Sequence, residues 1–183
     1  MLTLQFSPFP QLETERLLLK QIGPEHAPAL FEMRSNPEVM QYIDRPLAQT
    51  VNDAMALIQI IMDMQGKNEG ITWGIFTKDA SPLRGTIGFW RIEKQNYRAE
   101  IGYMIHPSLQ GKGLMQEAIA AVLQHGFNTM KLHSVEANIK PNNTASKKLL
   151  ERNGFVQEGY FRENYYFNGV FSDSAIFSLL APK

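Results

Sequence analysis

Hydrophobic residues recur at steps of three and four over a long segment after residue 113, which is the spacing of one buried helix face. The members of this stripe are Leu114, Met115, Ala118, Ile119, Val122, Leu123 and Phe127. The opposite face carries Gln116, Glu117, Gln124 and Asn128. The pattern predicts an amphipathic helix that ends near residue 128.

Two earlier helices are predicted from their start and stop signals. Pro24 suits the first turn of a helix that runs to about residue 36, and Pro37 ends it. Thr50 and Asp53 have the spacing of a capping box. Because a helical hydrophobic pattern follows them, we expect a second helix to about residue 65.

Shorter runs with strand-like composition lie between turn signals and predict the strands of a sheet. The first run covers residues 12–22. Three more cover residues 71–78, 85–93 and 98–105, connected at residues 79–84 and by a short turn at 95–96. The short connections predict an antiparallel meander.

The end of the chain adds a parallel strand and a hairpin. Because a helix separates residues 134–140 from the strand at 98–105, those two strands should run parallel. Asn143 can cap a short helix to about residue 152, and Gly154 supplies a left-handed C-cap. Residues 155–162 and 165–167 are expected to be extended. Asn168-Gly169 predicts a hairpin before residues 170–171 and a closing strand at 174–180.

Residues 110–115, Gln-Gly-Lys-Gly-Leu-Met, join the strand at 98–105 to the long helix. The two glycines allow a sharp turn, and the first N–H groups of a helix have no partner within it. Such a junction favours an anion, although an ordinary glycine turn into a helix would have the same pattern.

Composition limits the classes of protein that remain. The 183 residues are 44% hydrophobic, which suits one domain, and we expect it at 12–183 after an N-terminal extension at 1–11. Zero net charge gives no support for nucleic acid as a partner, and no run approaches the roughly 20 apolar residues of a membrane span. The chain has no cysteine, and its four histidines lack metal-ligand spacing. A cytoplasmic protein with no metal, no nucleic acid and no membrane partner is therefore expected.

Six short motifs, in order, resemble those of the GCN5-related N-acetyltransferases (GNAT), and in particular the Rim-type ribosomal-protein N-terminal acetyltransferases. They are Thr-Glu-Arg-Leu at 14–17, Ser-Asn-Pro-Glu-Val at 35–39, Ala-Glu-Ile-Gly-Tyr at 99–103, Gln-x-x-Gly at 110–113, Asn-Thr-Ala-Ser at 143–146 and Asn-Gly-Phe at 153–155. The resemblance implies the GNAT fold, an α/β (α+β) arrangement. Its single mixed, mostly antiparallel sheet of about seven strands is flanked by helices and splayed between the central parallel strands.

The resemblance also implies acetyl-CoA as cosubstrate, with its pyrophosphate on the glycine turn and its pantetheine arm between the splayed strands. A bulge near Met104 would present an N–H to the thioester oxygen. The implied cofactor-binding residues are Met104, Ile105, Gln110, Gly111, Lys112, Gly113, Leu114, Met115 and Asn143. Met115 departs from the usual glycine or alanine, and is compatible with the turn only if its side chain enters the core. Leu150 replaces a tyrosine of many relatives, as it does in the Rim-type members.

Two residues are candidates for proton transfer. Glu100 lies in an apolar strand, where burial would raise its pKa toward that of a useful base, but it could equally be a structural carboxylate. Ser146 occupies the position at which Rim-type enzymes are thought to protonate the leaving thiolate. A hydroxyl bonded to a backbone carbonyl is the alternative.

The acceptor is the least determined part. The resemblance favours the N-terminal amine of a ribosomal protein, with a polyamine, an amino acid or an aminoglycoside as alternatives, and a homodimer is compatible with it. Candidate acceptor-cleft residues are Glu32, Glu38, Asp44, Asp53, Tyr42, Trp90, Tyr103, Tyr160 and Tyr165. A non-catalytic CoA sensor is a further alternative. A dinucleotide-binding oxidoreductase is disfavoured because Gln116 stands where its third glycine or alanine belongs.

Overall fold

The computed structural model describes residues 1–79 and 82–182. The strands are β1 (Leu12–Glu13), β2 (Leu17–Gln21), β3 (Ile71–Thr77), β4 (Gly85–Glu93), β5 (Arg98–Ile105), β6 (Ser134–Ile139), β7 (Val156–Phe167) and β8 (Val170–Leu180). The α-helices are α1 (Ala27–Arg34), α2 (Pro37–Met40), α3 (Val51–Gly66), α4 (Leu114–Asn128) and α5 (Thr144–Arg152). Within these residues the strands form one eight-stranded sheet in the order β1-β2-β3-β4-β5-β6-β8-β7.

The strand pairing confirms the predicted mixed sheet. β3, β4 and β5 form the antiparallel meander, and β5 and β6 are parallel. The other neighbouring pairs in the described residues are antiparallel. The predicted connection at 79–84 is only partly described, because Ala80 and Ser81 lie outside the described residues.

The first predicted strand, residues 12–22, is divided into β1 and β2, which gives eight strands rather than about seven. β1 and β2 are antiparallel neighbours, because the chain reverses at residues 14–16 and the N–H of Thr14 donates to the carbonyl of Leu17 at 3.0 Å. There Thr14 and Arg16 form hydrogen bonds to Glu117 of α4. A hairpin turn that also contacts α4 therefore replaces the single strand expected here.

Pro37 begins a helix as well as following one. A short 3-10 turn at Pro24–His26 leads into the first helix, which ends at Arg34, close to its predicted end. Asn36 then caps the unpredicted helix α2 by accepting a hydrogen bond of 2.9 Å from the N–H of Glu38. Proline suits this first position because its missing N–H would have had no helical partner.

The two faces of the sheet bury separate apolar clusters. Leu17, Leu19 and Ile75 pack into the larger cluster with α4, whereas Leu18 and Phe76 pack into a smaller one with α1 and α3. Alternate residues of one strand point to opposite faces, so α4 lies on one side of the sheet and α1 and α3 lie on the other.

The first eleven residues, expected to be an extension, pack onto the domain. Leu2, Leu4 and Phe6 are buried in the larger cluster. The N–H of Leu2 donates to the carbonyl of Lys94 at 3.0 Å, and the N–H of Phe6 donates to Oδ1 of Asn68 at 2.8 Å. This segment therefore covers part of the core.

The predicted turns and caps are confirmed where they are local. The N–H of Thr50 donates to Asp53 at 2.9 Å at the start of α3. Asn168 and Gly169 both have positive φ in the two-residue turn between β7 and β8, and Gly154 has a φ of 84° after α5. Across residues 1–79 and 82–182, no helix has the length and apolarity needed to cross a membrane.

Replacing Ile119 by alanine tests the contribution of α4 to the larger cluster. Ile119 is fully buried, so the free energy of unfolding should fall by about 2–5 kcal/mol in a denaturant titration. Ile60→Ala is the matched control, since Ile60 is 55% exposed on α3 and its loss should change stability by less than about 0.5 kcal/mol. Equal effects of the two substitutions would contradict the assigned packing.

Candidate active site

The central parallel strands pair over only a short distance. β5 and β6 are in register at Arg98/Ser134, Ala99/Val135 and Glu100/Glu136. Beyond Glu100 both strands continue, β5 to Ile105 and β6 to Ile139, but they no longer pair. This confirms the predicted splay, and a cleft of about 880 Å³ opens along it.

The glycine turn lies at the wide end of this cleft. Gly111 and Gly113 have φ values of 71° and 75°, in the left-handed region that glycine adopts without strain. Gly113 is the N-cap of α4, and no side chain caps the helix there. The first N–H groups of α4 are therefore available to an anion.

Met115 satisfies the condition set by its unusual size. Its side chain is only 8% exposed and packs into the larger apolar cluster with Ala118 and Ile119. The long side chain at this position therefore packs into the core. The cleft lining includes every predicted cofactor-binding residue except Lys112, namely Met104, Ile105, Gln110, Gly111, Gly113, Leu114, Met115 and Asn143.

The bulge predicted near Met104 is absent from the ladder. β4 and β5 stay in register without interruption from Gly85/Ile105 to Trp90/Glu100, and the register shift lies beyond Trp90. The N–H of His106 donates to the carbonyl of Arg84 at 2.8 Å, outside the Gly85/Ile105 pair. Gly85 and Ile105 are therefore a non-hydrogen-bonded pair of the antiparallel ladder, in which the backbone N–H and C=O of each residue point away from the other strand.

The alternation of an antiparallel ladder then determines which β5 groups face the gap. The backbone N–H and C=O of Met104 point toward β4, whereas those of Tyr103 and Ile105 point toward the gap. Gln110 supports this orientation, since its Nε2 lies 3.5 Å from the carbonyl oxygen of Ile105. The expectation that Met104 presents an N–H to the cleft is therefore wrong for this geometry.

Tyr103 and Ser146 meet across the cleft. The Tyr103 hydroxyl lies 2.6 Å from Oγ of Ser146, which is a buried side chain of α5. Burial raises the pKa of Tyr103 to about 12, against a smaller opposing effect of the bond to Ser146. Tyr103 is therefore a neutral hydroxyl at physiological pH. When it donates to Ser146, the hydroxyl hydrogen of Ser146 is free to donate to another group.

Glu100 is a buried carboxylate at the point where the strands part. Its side chain is paired with Arg91, with Nη1 3.1 Å from Oε2. Burial raises the pKa of Glu100, and the charge of Arg91 opposes that shift. Arg91 has a positive φ of 45° and its guanidinium lies 4.6 Å from the Trp90 ring centroid. Both the base and the structural interpretation of Glu100 are compatible with these contacts.

Glu100 and Ser146 line one cleft from opposite faces of the sheet. Tyr103, which holds Ser146, packs with the larger cluster on the α4 side. Glu100 is three residues away on an uninterrupted strand, so its side chain points to the other face. A planar thioester between the strands could thus meet a base on one side and a hydroxyl on the other.

Asn143 has the predicted cap role. Its Oδ1 accepts a hydrogen bond of 3.1 Å from the N–H of Ser146 at the start of α5. This bond orients the side chain beside the cleft that it lines. Its amide nitrogen takes no part in the cap bond.

The acceptor end of the cleft is formed by the chain after α2 and by the β7–β8 hairpin. Asp44 pairs with Lys140 at 2.5 Å, and Nη1 of Arg45 lies 3.0 Å from the Tyr165 hydroxyl. The candidates that line the cleft are Glu38, Tyr42, Asp44, Trp90, Tyr103 and Tyr165, whereas Glu32, Asp53 and Tyr160 do not. Asp53 instead caps α3.

Several site residues were not identified from the sequence. Arg91 and Lys140 neutralise carboxylates of the cleft, and Asp173 lines it from β8. Only their places in the tertiary structure distinguish them from surface charges. In the part of the chain that the structure describes, no group of three or more His, Asp or Glu side chains is arranged to hold a metal ion.

The parallel strands part beside the glycine turn, and residues 16–156 match the acetyltransferase (GNAT) domain. The chain belongs to this family. It is 37% identical over 175 residues to the uncharacterized N-acetyltransferase YoaA of Bacillus subtilis strain 168, covering 96% of this chain and 99% of that one. The domain match and the N-acetyltransferase relatives identify the chain as an acetyl-CoA:amine N-acetyltransferase.

Two other comparisons extend the similarity. The ribosomal protein uS5 alanine N-acetyltransferase of Escherichia coli K12 is 30% identical over 128 residues, covering 69% of this chain and 66% of its own. The crystal structure of a GNAT-family acetyltransferase from Bacillus anthracis has a TM-score of 0.85 and 27% identity, covering 95% of this chain and all of its own.

Gly113→Val tests the glycine turn. Valine is strained at a φ of 75°, so the turn should shift and the acetyl-CoA dissociation constant should rise at least about tenfold, or about 1.4 kcal/mol. Isothermal titration calorimetry measures it. Gly169→Val introduces the same strain at a φ of 82° in the hairpin and should leave cofactor affinity unchanged. Unchanged binding by Gly113→Val would mean that the turn is misassigned.

Proposed function

We propose that this enzyme acetylates the N-terminal α-amine of a protein, with a ribosomal protein as the leading substrate class. The observation that carries the proposal is the parting of β5 and β6 at Glu100, which leaves a donor channel with a buried carboxylate at its inner end. The similarity to the uS5 alanine N-acetyltransferase supports this acceptor class. An enzyme that acts on a ribosomal protein would work in the cytoplasm.

The donor site follows from the free groups around the channel. The acetyl-CoA pyrophosphate lies on the N–H groups at the start of α4, where the helix dipole contributes about 0.3–1 kcal/mol per charge. The pantetheine arm extends between β5 and β6, against the backbone groups of Tyr103 and Ile105 that face the gap. Asn143 donates its side-chain amide to this arm.

The oxyanion donor is assigned to the backbone of Tyr103 or Ile105 instead of Met104. Amine attack on the thioester carbonyl converts its oxygen to an oxyanion, and an N–H aimed at that oxygen stabilises the transition state. Removal of one such donor costs about 2.7–4 kcal/mol in another enzyme. The Tyr103 and Ile105 groups are the ones that point into the gap.

Glu100 accepts the proton that the amine must lose. The neutral amine then forms the new C–N bond, and the C–S bond breaks so that the coenzyme leaves as a thiolate. The second N–H proton, which the nitrogen loses as the amide forms, passes to solvent. An α-amine with a pKa of about 7.7–8.0 is more often neutral at pH 7 than a lysine amine with a pKa of about 10.4. A weak base with a raised pKa therefore suits an N-terminal acceptor.

Ser146 stabilises the leaving thiolate. The Tyr103 hydroxyl donates to Oγ of Ser146, and the Ser146 hydroxyl then donates toward the sulfur. The thiol pKa should resemble the value of about 8.5 for cysteine, so the sulfur needs a hydrogen bond more than a strong acid. The reaction proceeds by direct transfer in a ternary complex, without an acetylated enzyme.

An acceptor panel tests the proposed substrate class. Thiol release is measured with acetyl-CoA and peptides carrying a free N-terminus, the same peptides with a blocked N-terminus and an internal lysine, and spermidine. The free N-terminal peptides should react at least about tenfold faster, because their amine is neutral more often. Preference for spermidine would indicate a small-amine acetyltransferase, and cofactor binding without thiol release from any acceptor would indicate a sensor.

The same proposal predicts a difference in protein N-terminal acetylation between cells with and without the gene. Cells that contain the gene should acetylate at least one protein N-terminus that remains free when the gene is deleted. Mass spectrometry of N-terminal peptides makes this comparison. Identical N-terminal acetylation in the two strains, with altered small-amine acetylation, would contradict the proposed acceptor.

Glu100→Gln tests the base. Between the raised pKa of Glu100 and the pKa of the acceptor amine, the carboxylate is ionised while the amine is mostly protonated, so turnover should fall most in this window. Above the amine pKa the difference should shrink, because the amine no longer needs a base. Rates from pH 5 to 9 measure this. A parallel pH profile with equal loss throughout assigns Glu100 to structure.

A further inference from the structure

We propose that Arg16 is a positioning residue of the phosphate turn: it holds the turn through the Lys112 carbonyl and neutralises Glu117 beside the bound pyrophosphate. The proposal rests on the assignment of acetyl-CoA to this turn. It gives a function to the Thr-Glu-Arg-Leu segment, which lies outside the cleft and has no part in the transfer steps above.

Glu117 is held by three donors from this segment. Oγ1 of Thr14 and the N–H of Arg16 both bond to Oε1 of Glu117, the latter at 2.8 Å. Nε of Arg16 bonds to Oε2 at 2.7 Å. These bonds connect the hairpin turn between β1 and β2 to the first turn of α4.

Arg16 also contacts the turn itself. Its Nη1 donates to the carbonyl of Lys112 at 3.0 Å, between the two glycines with positive φ. Its Nη2 lies 3.7 Å from the place where a Cβ on Gly113 would be. One guanidinium thus spans the turn and the helix that follows, and it opposes the flexibility that two glycines would otherwise give the backbone.

The charge of Glu117 makes this contact necessary for anion binding. A carboxylate in the first turn of α4 is close to the site of the pyrophosphate and would repel it. Burial alone would raise the pKa of Glu117, but the hydrogen bonds from Thr14 and Arg16 outweigh burial and hold the pKa below its usual value. The carboxylate stays ionised, and Arg16 compensates its charge.

The ion pair is not a typical surface pair with only a stabilising role. Arg16 is 48% exposed, and a single exposed ion pair contributes about 0–1 kcal/mol to stability. Its effect should instead appear in the affinity for ligands that carry the pyrophosphate. This difference separates a positioning role from a purely structural one.

Arg16→Gln tests the proposal with two acetyl donors. With acetyl-CoA the KM and the dissociation constant should rise at least about tenfold, while kcat at saturation changes less than about twofold. With S-acetylpantetheine, which lacks the pyrophosphate, kcat/KM should be unchanged. An equal loss with both donors, or no loss with acetyl-CoA, overturns the proposal.

A second substitution keeps the charge argument testable. Glu117→Gln in the Arg16→Gln background removes the uncompensated carboxylate, so the double variant should bind acetyl-CoA more tightly than Arg16→Gln alone. If the double variant binds acetyl-CoA no more tightly than Arg16→Gln, Arg16 does not act by neutralising the charge of Glu117. Circular dichroism at the assay temperature confirms that each variant is folded.

Lys78→Gln is the matched control. Lys78 forms a similar exposed ion pair, with Nζ 2.7 Å from Glu13. Its replacement by glutamine changes the net charge by the same amount, but Lys78 does not contact the turn. Its acetyl-CoA affinity should equal that of the wild type, and a matching tenfold loss overturns the specific role of Arg16. If the wild-type protein does not bind acetyl-CoA, the proposed function is wrong. If the wild type binds acetyl-CoA and Arg16→Gln binds it equally well, only the positioning role of Arg16 is wrong.

Discussion

The early end of the pairing between β5 and β6 is the constraint on which the site depends. Two central strands that part after three pairs leave backbone groups in the middle of a sheet without their usual ladder. Buried backbone N–H and C=O groups need partners, so such a gap suits an extended ligand with amide groups. The glycine turn and the uncapped start of α4 line the same cleft.

The sheet also separates the chemical roles. Because side chains alternate along β5, Glu100 faces one side of the gap and Tyr103 faces the other. The buried carboxylate is paired with Arg91, and Tyr103 is paired with Ser146. The buried carboxylate and the Tyr103–Ser146 hydroxyl pair therefore lie on opposite faces of the sheet beside the same cleft.

Local signals predicted most of the elements because each signal has a local physical cause. The capping pair Thr50 and Asp53, the Asn168-Gly169 turn and the stripe of α4 each depend on residues close in sequence. The errors arose where strand pairing decides the outcome. Residues 14–16 form a hairpin turn, so that β1 pairs with β2 instead of continuing into it, and a continuous ladder with β4 replaced the bulge expected at Met104.

The sequence by itself determined most of the helices and strands, the glycine turn and the family resemblance, because periodicity, glycine conformation and short motifs are local properties. Only the tertiary structure decided which backbone groups face the gap, that Met115 turns into the core, and that Arg91 and Arg16 pair with particular carboxylates. Those facts depend on strand register and on side chains brought together from distant parts of the chain, and no single segment encodes them.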